Sequence, residues 1–190
     1  MSTKKLKHLF HCLETLGQRS CGRSQVSQLE HALQAADHAV SEGVGDTLIT
    51  AALFHDIGHL FAQIVVNNDI DLAARGINDN HEDRGAALLM PLFGWAVSEP
   101  VQLHVEAKRF LCTTEPNYRE SITAESIHSL KLQGGEMSSE EVRLFQSNPY
   151  HKDAVLLRRI DDKSKLPGKS VPELATYFSC VEGVLPAPVA

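Results

Sequence analysis

A chain of 190 residues with a formal net charge of −6 fits one compact domain and is long enough to bury a sizeable core. The acidic balance, with no basic arm or stripe, excludes a nucleic-acid partner, because a phosphate backbone needs clustered Lys and Arg. No apolar run is long enough to span a bilayer and MSTKKLKHLFHC has no signal-peptide block, so no membrane partner is expected and cytoplasmic residence is.

Helical periodicity dominates the chain. Leu29, Ala32, Leu33 and Ala36 recur at helical spacing and predict a helix over 26–41, with Ser24 as its cap. Gly43 and Gly45 punctuate the next turn, and Asp46 is placed to cap a helix over 47–61. That helix is apolar on nearly every side (Leu48, Ile49, Ala51, Ala52, Leu53, Phe54) and should be central. Residues 66–80 are polar and rich in Asn and Asp, which predicts a loop able to cover a site. Further helices are predicted over 81–92, 96–111, 123–132, 139–146 and 151–162. Gly134 and Gly135 break the chain ahead of a capping box, Ser138 with Glu141. Pro167 and Gly168 make another turn, and 171–181 reads as a last short helix. With no repeat, low-complexity tract or dividing linker, the expectation is an all-α chain forming a single domain over 1–190. Its core covers about 26–165, and a C-terminal helix and tail cover 166–190.

Cys12, Cys21, Cys112 and Cys180 form no C-x-x-C pair, which argues against a disulfide framework or zinc knuckle. Ten histidines are the oddity of the composition. His8, His11 and His151 read as surface residues, whereas His55 and Asp56 end the most apolar helix. A buried carboxylate or imidazole without partners is expensive, and a metal ion compensates both directly. His31 lies among Leu29 and Leu33, His81 opens a helix after the polar loop, His104 follows Val101 and Leu103, and Asp161 ends a helix carrying Leu156 and Leu157. Brought together, these groups could fill most of two octahedral sites with Asp56 shared, and nitrogen and oxygen ligation favours iron, manganese or zinc. Each member also has a plain alternative. His31 and His104 suit satisfied core histidines, His81 a helix-start residue and Asp161 a surface acid, with Asp162 as its rival. His55-Asp-Ile-Gly-His59 resembles the H-E-x-x-H helix of zinc proteases, but Asp stands in place of the Glu base and Gly58 weakens the helix between the histidines. His59 is therefore expected to face substrate or support a ligand.

The order H…HD…H…H…D resembles the HD-domain superfamily. The segments QLEHALQ, AALFHDIGH, the His81-Glu82 helix start, HVEAKRFL, LQGGEM and RRIDDKSK resemble its mixed-valent diiron oxygenases that act on 2-amino-1-hydroxyethylphosphonate and the related trimethylammonio compound. The resemblance runs from about Gln28 to Lys165 and implies an HD-domain helical bundle. It implies an Fe(II)/Fe(III) pair held by His31, His55, Asp56, His81, His104 and Asp161, with Asp56 bridging and O2 as co-substrate. It implies a small hydroxyphosphonate partner, held by Lys108, Ser126, Ser129 and Arg158, with His59 as a catalytic candidate that orients substrate or relays protons. Charge-assisted donors suit a phosphonate dianion, and Arg offers two at once. The implied reaction cleaves a carbon–phosphorus bond to give a carboxylic acid and phosphate.

One departure bears on the substrate. Glycine-forming relatives carry a Tyr and, three residues on, a Glu before the first His; here the matching positions are Cys21 and Ser24. A primary ammonium gains from a carboxylate, whereas a quaternary ammonium has no donor and needs more room. Ser24 therefore points to 1-hydroxy-2-(trimethylammonio)ethylphosphonate as substrate and glycine betaine as product, with the amino substrate and glycine as the alternative. Tyr118 is a candidate for the aromatic face such a cation prefers. The rival activities are the metal-dependent phosphohydrolysis of most HD-domain proteins and a metal-stabilised module without turnover.

Overall fold

The computed structural model describes residues 2–18, 25–66 and 76–187, excepting the side chains of 62–66. The described residues form an all-α architecture. Its centre is α3 (Asp46–Phe54), which buries Leu48, Ile49, Ala51, Ala52, Leu53 and Phe54 and packs against α2 (Gln28–Ser41), α6 (Trp95–Thr114), α10 (His151–Asp162) and α11 (Phe178–Gly183). A helix apolar all round is stable only when other helices cover every side, as these do.

The helix predicted over 47–61 is two helices, α3 and α4 (Ile57–Val66), parted at His55 and Asp56. Apolar residues continue through Phe61, so periodicity carries no trace of the break. The turn points the His55 ring and the Asp56 carboxylate inward together, which an uninterrupted helix cannot do for adjacent residues. The cap of α2 is Ser27 rather than Ser24, which lies outside the described residues. Ser27 Oγ accepts from Glu30 N at 3.1 Å, and Ser27 N donates to Glu30 Oε2 at 2.7 Å. Gly45, not Asp46, occupies the cap position of α3.

α5 (His81–Phe93) and α6 form a helical hairpin about Gly94, whose φ of 72° places it in the left-handed region. The first helix, α1 (Ser2–Leu16), is not among the predicted elements, yet Leu6, Leu9, Phe10 and Leu13 form a buried stripe on it. The Phe10 ring meets Phe54 edge-on at 5.6 Å and Phe178 at 5.2 Å, joining both ends of the chain to α3. The single turn α7 (Tyr118–Ser121) is likewise unpredicted. α8 (Ala124–Leu132) is capped by Thr123, and α9 (Ser139–Ser147) carries the predicted Ser138–Glu141 capping box. The last predicted helix is a 3-10 turn over Leu174–Tyr177 that runs into α11. Among the described residues, no helix is long and apolar enough to cross a membrane. Of the loop predicted over 66–80, residues 67–75 lie outside the described residues.

Candidate metal centre

Four imidazoles converge where α2, α3, α5 and α6 meet, and each is fixed through its Nδ1. His31 Nδ1 donates to the Ser164 carbonyl at 2.7 Å, His55 Nδ1 to the Ala52 carbonyl at 2.8 Å, and His104 Nδ1 to the Val101 carbonyl at 2.6 Å. A carbonyl only accepts, so these Nδ1 atoms carry the proton and Nε2 presents a lone pair. His81 is held the same way by a carboxylate, donating from Nδ1 to Asp79 Oδ1 at 3.0 Å. The Nε2 atoms then face one another in pairs, His31 to His55 at 3.1 Å and His81 to His104 at 3.1 Å. Two imidazole nitrogens opposed at this distance need a positive charge between them, a proton or a metal ion.

Asp56 stands between the pairs and divides its oxygens. Oδ2 lies 3.3 Å from His31 Nε2 and 3.5 Å from His55 Nε2, while Oδ1 lies 3.4 Å from His81 Nε2 and 3.8 Å from His104 Nε2. Asp161 completes the first pocket, with Oδ1 3.1 Å from His31 Nε2 and 3.6 Å from His55 Nε2. That oxygen is buried without a hydrogen-bond partner, which a cation would supply. Most of these separations are close to the edge of a coordination polyhedron with metal–ligand bonds of roughly 2.1 Å. The donor set thus fits two metal ions sharing one carboxylate.

The electrostatics agree. Burial opposes ionisation of Asp56, but His55 and the other imidazoles hold its carboxyl well below the usual range. Burial opposes the charge of Asp161 too, and Arg158 with Lys165 holds it ionised. His55 is the converse: burial disfavours its charge, yet Asp56 and Asp161 push its pKa up to about 9. Burial, and after it the positive charge of neighbouring imidazoles, holds His104 well below the ordinary imidazole value, against Asp56 and Asp161.

A polar wall adjoins the Asp161 side. Arg158 is buried and extends its fork to Asp161 Oδ2 at 2.7 Å, to Asp162, to the Tyr118 hydroxyl at 3.2 Å and to Ser126 Oγ at 3.5 Å. Lys108 is buried too, and donates to Ser129 Oγ at 2.8 Å and Gln133 Oε1 at 2.5 Å. Burial, reinforced by the positive charge of Arg158, brings the Lys108 amine down to about 7. Ser129 Oγ donates to the Ser126 carbonyl at 3.1 Å, so α8 carries both serines to the two cations. Cations held in a low-dielectric wall suit an oxyanion with little water nearby.

The structure therefore brings together His31, His55, Asp56, His81, His104 and Asp161, and beside them Lys108, Ser126, Ser129 and Arg158. Asp162, the rival of Asp161, turns to Tyr118 and Arg158 instead. His55 and His59 lie on either side of the α3–α4 break, which separates this segment from the H-E-x-x-H helix. His59 Nε2 lies 3.9 Å from Asp56 Oδ1, and its ring stacks on His81 with centroids 3.8 Å apart. Ser24 and Cys21 lie outside the described residues. Tyr118 is buried in the apolar cluster of Leu111, Cys112, Ile122 and Leu130, and its hydroxyl donates to Asp162 Oδ2 at 2.5 Å. Sequence reasoning missed Asp79 and Gln133. Asp79 sits two residues before His81 within the Asn/Asp-rich loop, and that spacing to a candidate ligand is the signal it carried.

The family profile described as HD domain matches residues 29–161. A hydroxymethylphosphonate dioxygenase of Gimesia maris is 43% identical over 182 residues, covering 96% of this chain and 89% of the relative. The [1-hydroxy-2-(trimethylamino)ethyl]phosphonate dioxygenase (glycine-betaine-forming) of Leisingera caerulea is 38% identical over 157 residues, covering 83% of this chain and 78% of the relative. An uncharacterised protein of Acanthamoeba polyphaga mimivirus is 38% identical over 157 residues, covering 82% and 70%.

Proposed function

The chain belongs to the HD-domain phosphonate dioxygenase family, and from that premise we propose that it is a non-haem diiron enzyme that uses O2 to cleave the carbon–phosphorus bond of a small 1-hydroxyphosphonate. The observation that carries the reading is the Asp56 carboxylate, which turns one oxygen to each of two inward-facing imidazole pairs next to the buried Arg158–Lys108 wall. A bound iron pair supplies the O2 chemistry that no side chain offers. His31, His55 and Asp161 would hold one ion, His81 and His104 the other, and Asp56 would serve both.

The remaining groups bind and orient. Arg158, Ser126, Ser129 and Lys108 hold the phosphonate, with Lys108 protonated in the presence of the dianion. His59, whose Nδ1 lies 2.6 Å from Asp79 Oδ2 and whose Nε2 lies 3.9 Å from Asp56 Oδ1, would orient substrate beside the centre. Burial of the wall excludes water that would otherwise screen these charges.

Hydroxymethylphosphonate is the first candidate substrate: with O2 it gives formate and phosphate, and it is the compound named for the 43% identical relative. The second is the trimethylammonio compound, named for the 38% identical relative and favoured by Ser24 standing where the glycine-forming relatives carry Glu.

The test is anaerobic loading with Fe(II), partial oxidation and EPR, followed by phosphate release from hydroxymethyl, amino and trimethylammonio substrates with and without O2. A coupled mixed-valent signal that responds to hydroxyphosphonates, with O2-dependent phosphate release, is expected. Phosphate-ester hydrolysis with zinc or manganese and no need of O2 would replace this reading with a phosphohydrolase. Glycine formed much faster than either formate or glycine betaine would overturn the substrate assignment.

A further inference from the structure

Asp79 bonds two imidazoles at once. Its Oδ1 accepts from His81 Nδ1 at 3.0 Å, and its Oδ2 lies 2.6 Å from His59 Nδ1. The two rings it holds are stacked, 15° from parallel. The backbone makes this possible: Asn80, between Asp79 and His81, adopts the left-handed conformation at φ 47° and is the only described non-glycine residue at positive φ. Asn tolerates that region better than most residues, and here it turns the chain so that side chains two apart converge. Asn78 secures the turn by donating from Nδ2 to Asn80 Oδ1 at 2.7 Å. Arg84 braces the carboxylate from the far side, with Nη2 3.5 Å from Asp79 Oδ2 and Nε donating to the Gly58 carbonyl at 3.4 Å.

We propose that Asp79 is a positioning residue that couples the two halves of the centre, setting the tautomer and orientation of a metal-facing imidazole and of the substrate-facing one. With both Nδ1 atoms donating to Asp79, both Nε2 atoms are turned towards Asp56 Oδ1, at 3.4 Å for His81 and 3.9 Å for His59. A carboxylate is needed because only it offers two equivalent acceptors and no donor. Glu82 Oε2 stands 3.3 Å from His81 Nδ1 but is buried without a hydrogen-bond partner, so it does not share this task. Groups that orient a ligand through its second nitrogen typically alter metal affinity or activity by about 10–100-fold when removed. The inference rests on the dinuclear reading of the centre, not on the choice of substrate.

The test compares Asp79→Asn, His59→Ala and Glu82→Gln with the full-length wild-type protein. The amide that replaces the carboxylate in Asp79→Asn has one acceptor and one donor end, so only one imidazole keeps its tautomer. Anaerobic Fe(II) titration against a competing chelator should show one of the two ions bound about 10–100-fold more weakly in D79N, with the other unchanged. H59A should bind both ions as the wild type does while kcat on hydroxymethylphosphonate falls at least about tenfold, and E82Q should match the wild type in metal affinity. Wild-type metal affinity and kcat in a folded D79N protein would overturn the proposal. So would loss of an ion in H59A, a measurement that stands even where D79N fails to fold. If the wild type binds two Fe(II) ions and releases no phosphate from any hydroxyphosphonate, the proposed function fails while the Fe(II) titrations still judge Asp79.

Discussion

Gly58 sits where the first turn of α4 crosses the start of α5, and replacing it by Ala tests how tightly that crossing defines the second metal pocket. A Cβ there would stand 2.0 Å from the His81 carbonyl oxygen, 2.8 Å from its carbonyl carbon and 2.9 Å from Gly85 N. All three atoms are backbone, so no side chain can swing aside and the two helices must part by roughly 1 Å. Overpacking of this kind costs about 1–3 kcal/mol, and the better helix propensity of Ala returns about 1 kcal/mol at most. Because the clash is with a second helix, a net loss of about 2 kcal/mol is expected, or roughly 4–8 °C in Tm for a chain of this size. His81 would move with its backbone by more than the roughly 0.2 Å that a metal bond tolerates, so one of the two ions should also be lost or weakened. Calorimetry and metal analysis of G58A decide the matter. A variant that melts with the wild type and binds two ions would refute the argument.

Three further outcomes follow from the same geometry. Asp56→Ala removes the carboxylate common to both pockets, so metal analysis should find neither ion held at stoichiometric level; full activity in D56A would sink the dinuclear arrangement. In chelator-treated protein the raised pKa of His55 contributes stability that is complete below its ordinary value of 6.5 and lost as pH rises through about 9. Thermal melts of metal-free protein should therefore fall across that window, and Asp56→Asn, which removes its principal charge partner, should flatten the fall. Lys108, brought down to about 7 by burial and Arg158, should take up a proton when inorganic phosphate binds at about pH 8. Calorimetric titration in buffers of different ionisation enthalpy measures this uptake, and Lys108→Met should abolish it.

Local physics was legible in the residues. The Ser138–Glu141 capping box and the bounds of α10 depend on neighbours within one or two turns, so spacing suffices to predict them. The stripe on α1 carried the same signal at Leu6, Leu9, Phe10 and Leu13, but the lysines and histidines around it make the segment read as polar. The α3–α4 break left no mark, because Ile57, Leu60 and Phe61 continue the apolar pattern while the chain changes direction. Asp79 was hidden for a different reason: an Asn/Asp-rich loop reads as solvated until its partners are known.

By itself the sequence determined which donors exist and that they lie on apolar helices, where an imidazole or carboxylate must find compensation. That was enough for an all-helical fold and a list of candidate metal donors, since both follow from residue type and helical period. Only the packing of the helices decided that His31 pairs with His55 and His81 with His104, that Asp56 gives one oxygen to each pair, and that Asp161 rather than Asp162 faces inward. Those choices turn on ångström-scale contacts between residues far apart in the chain. Helix crossing and close approaches such as Gly58 against His81 set them, and periodicity along a single helix does not contain that information.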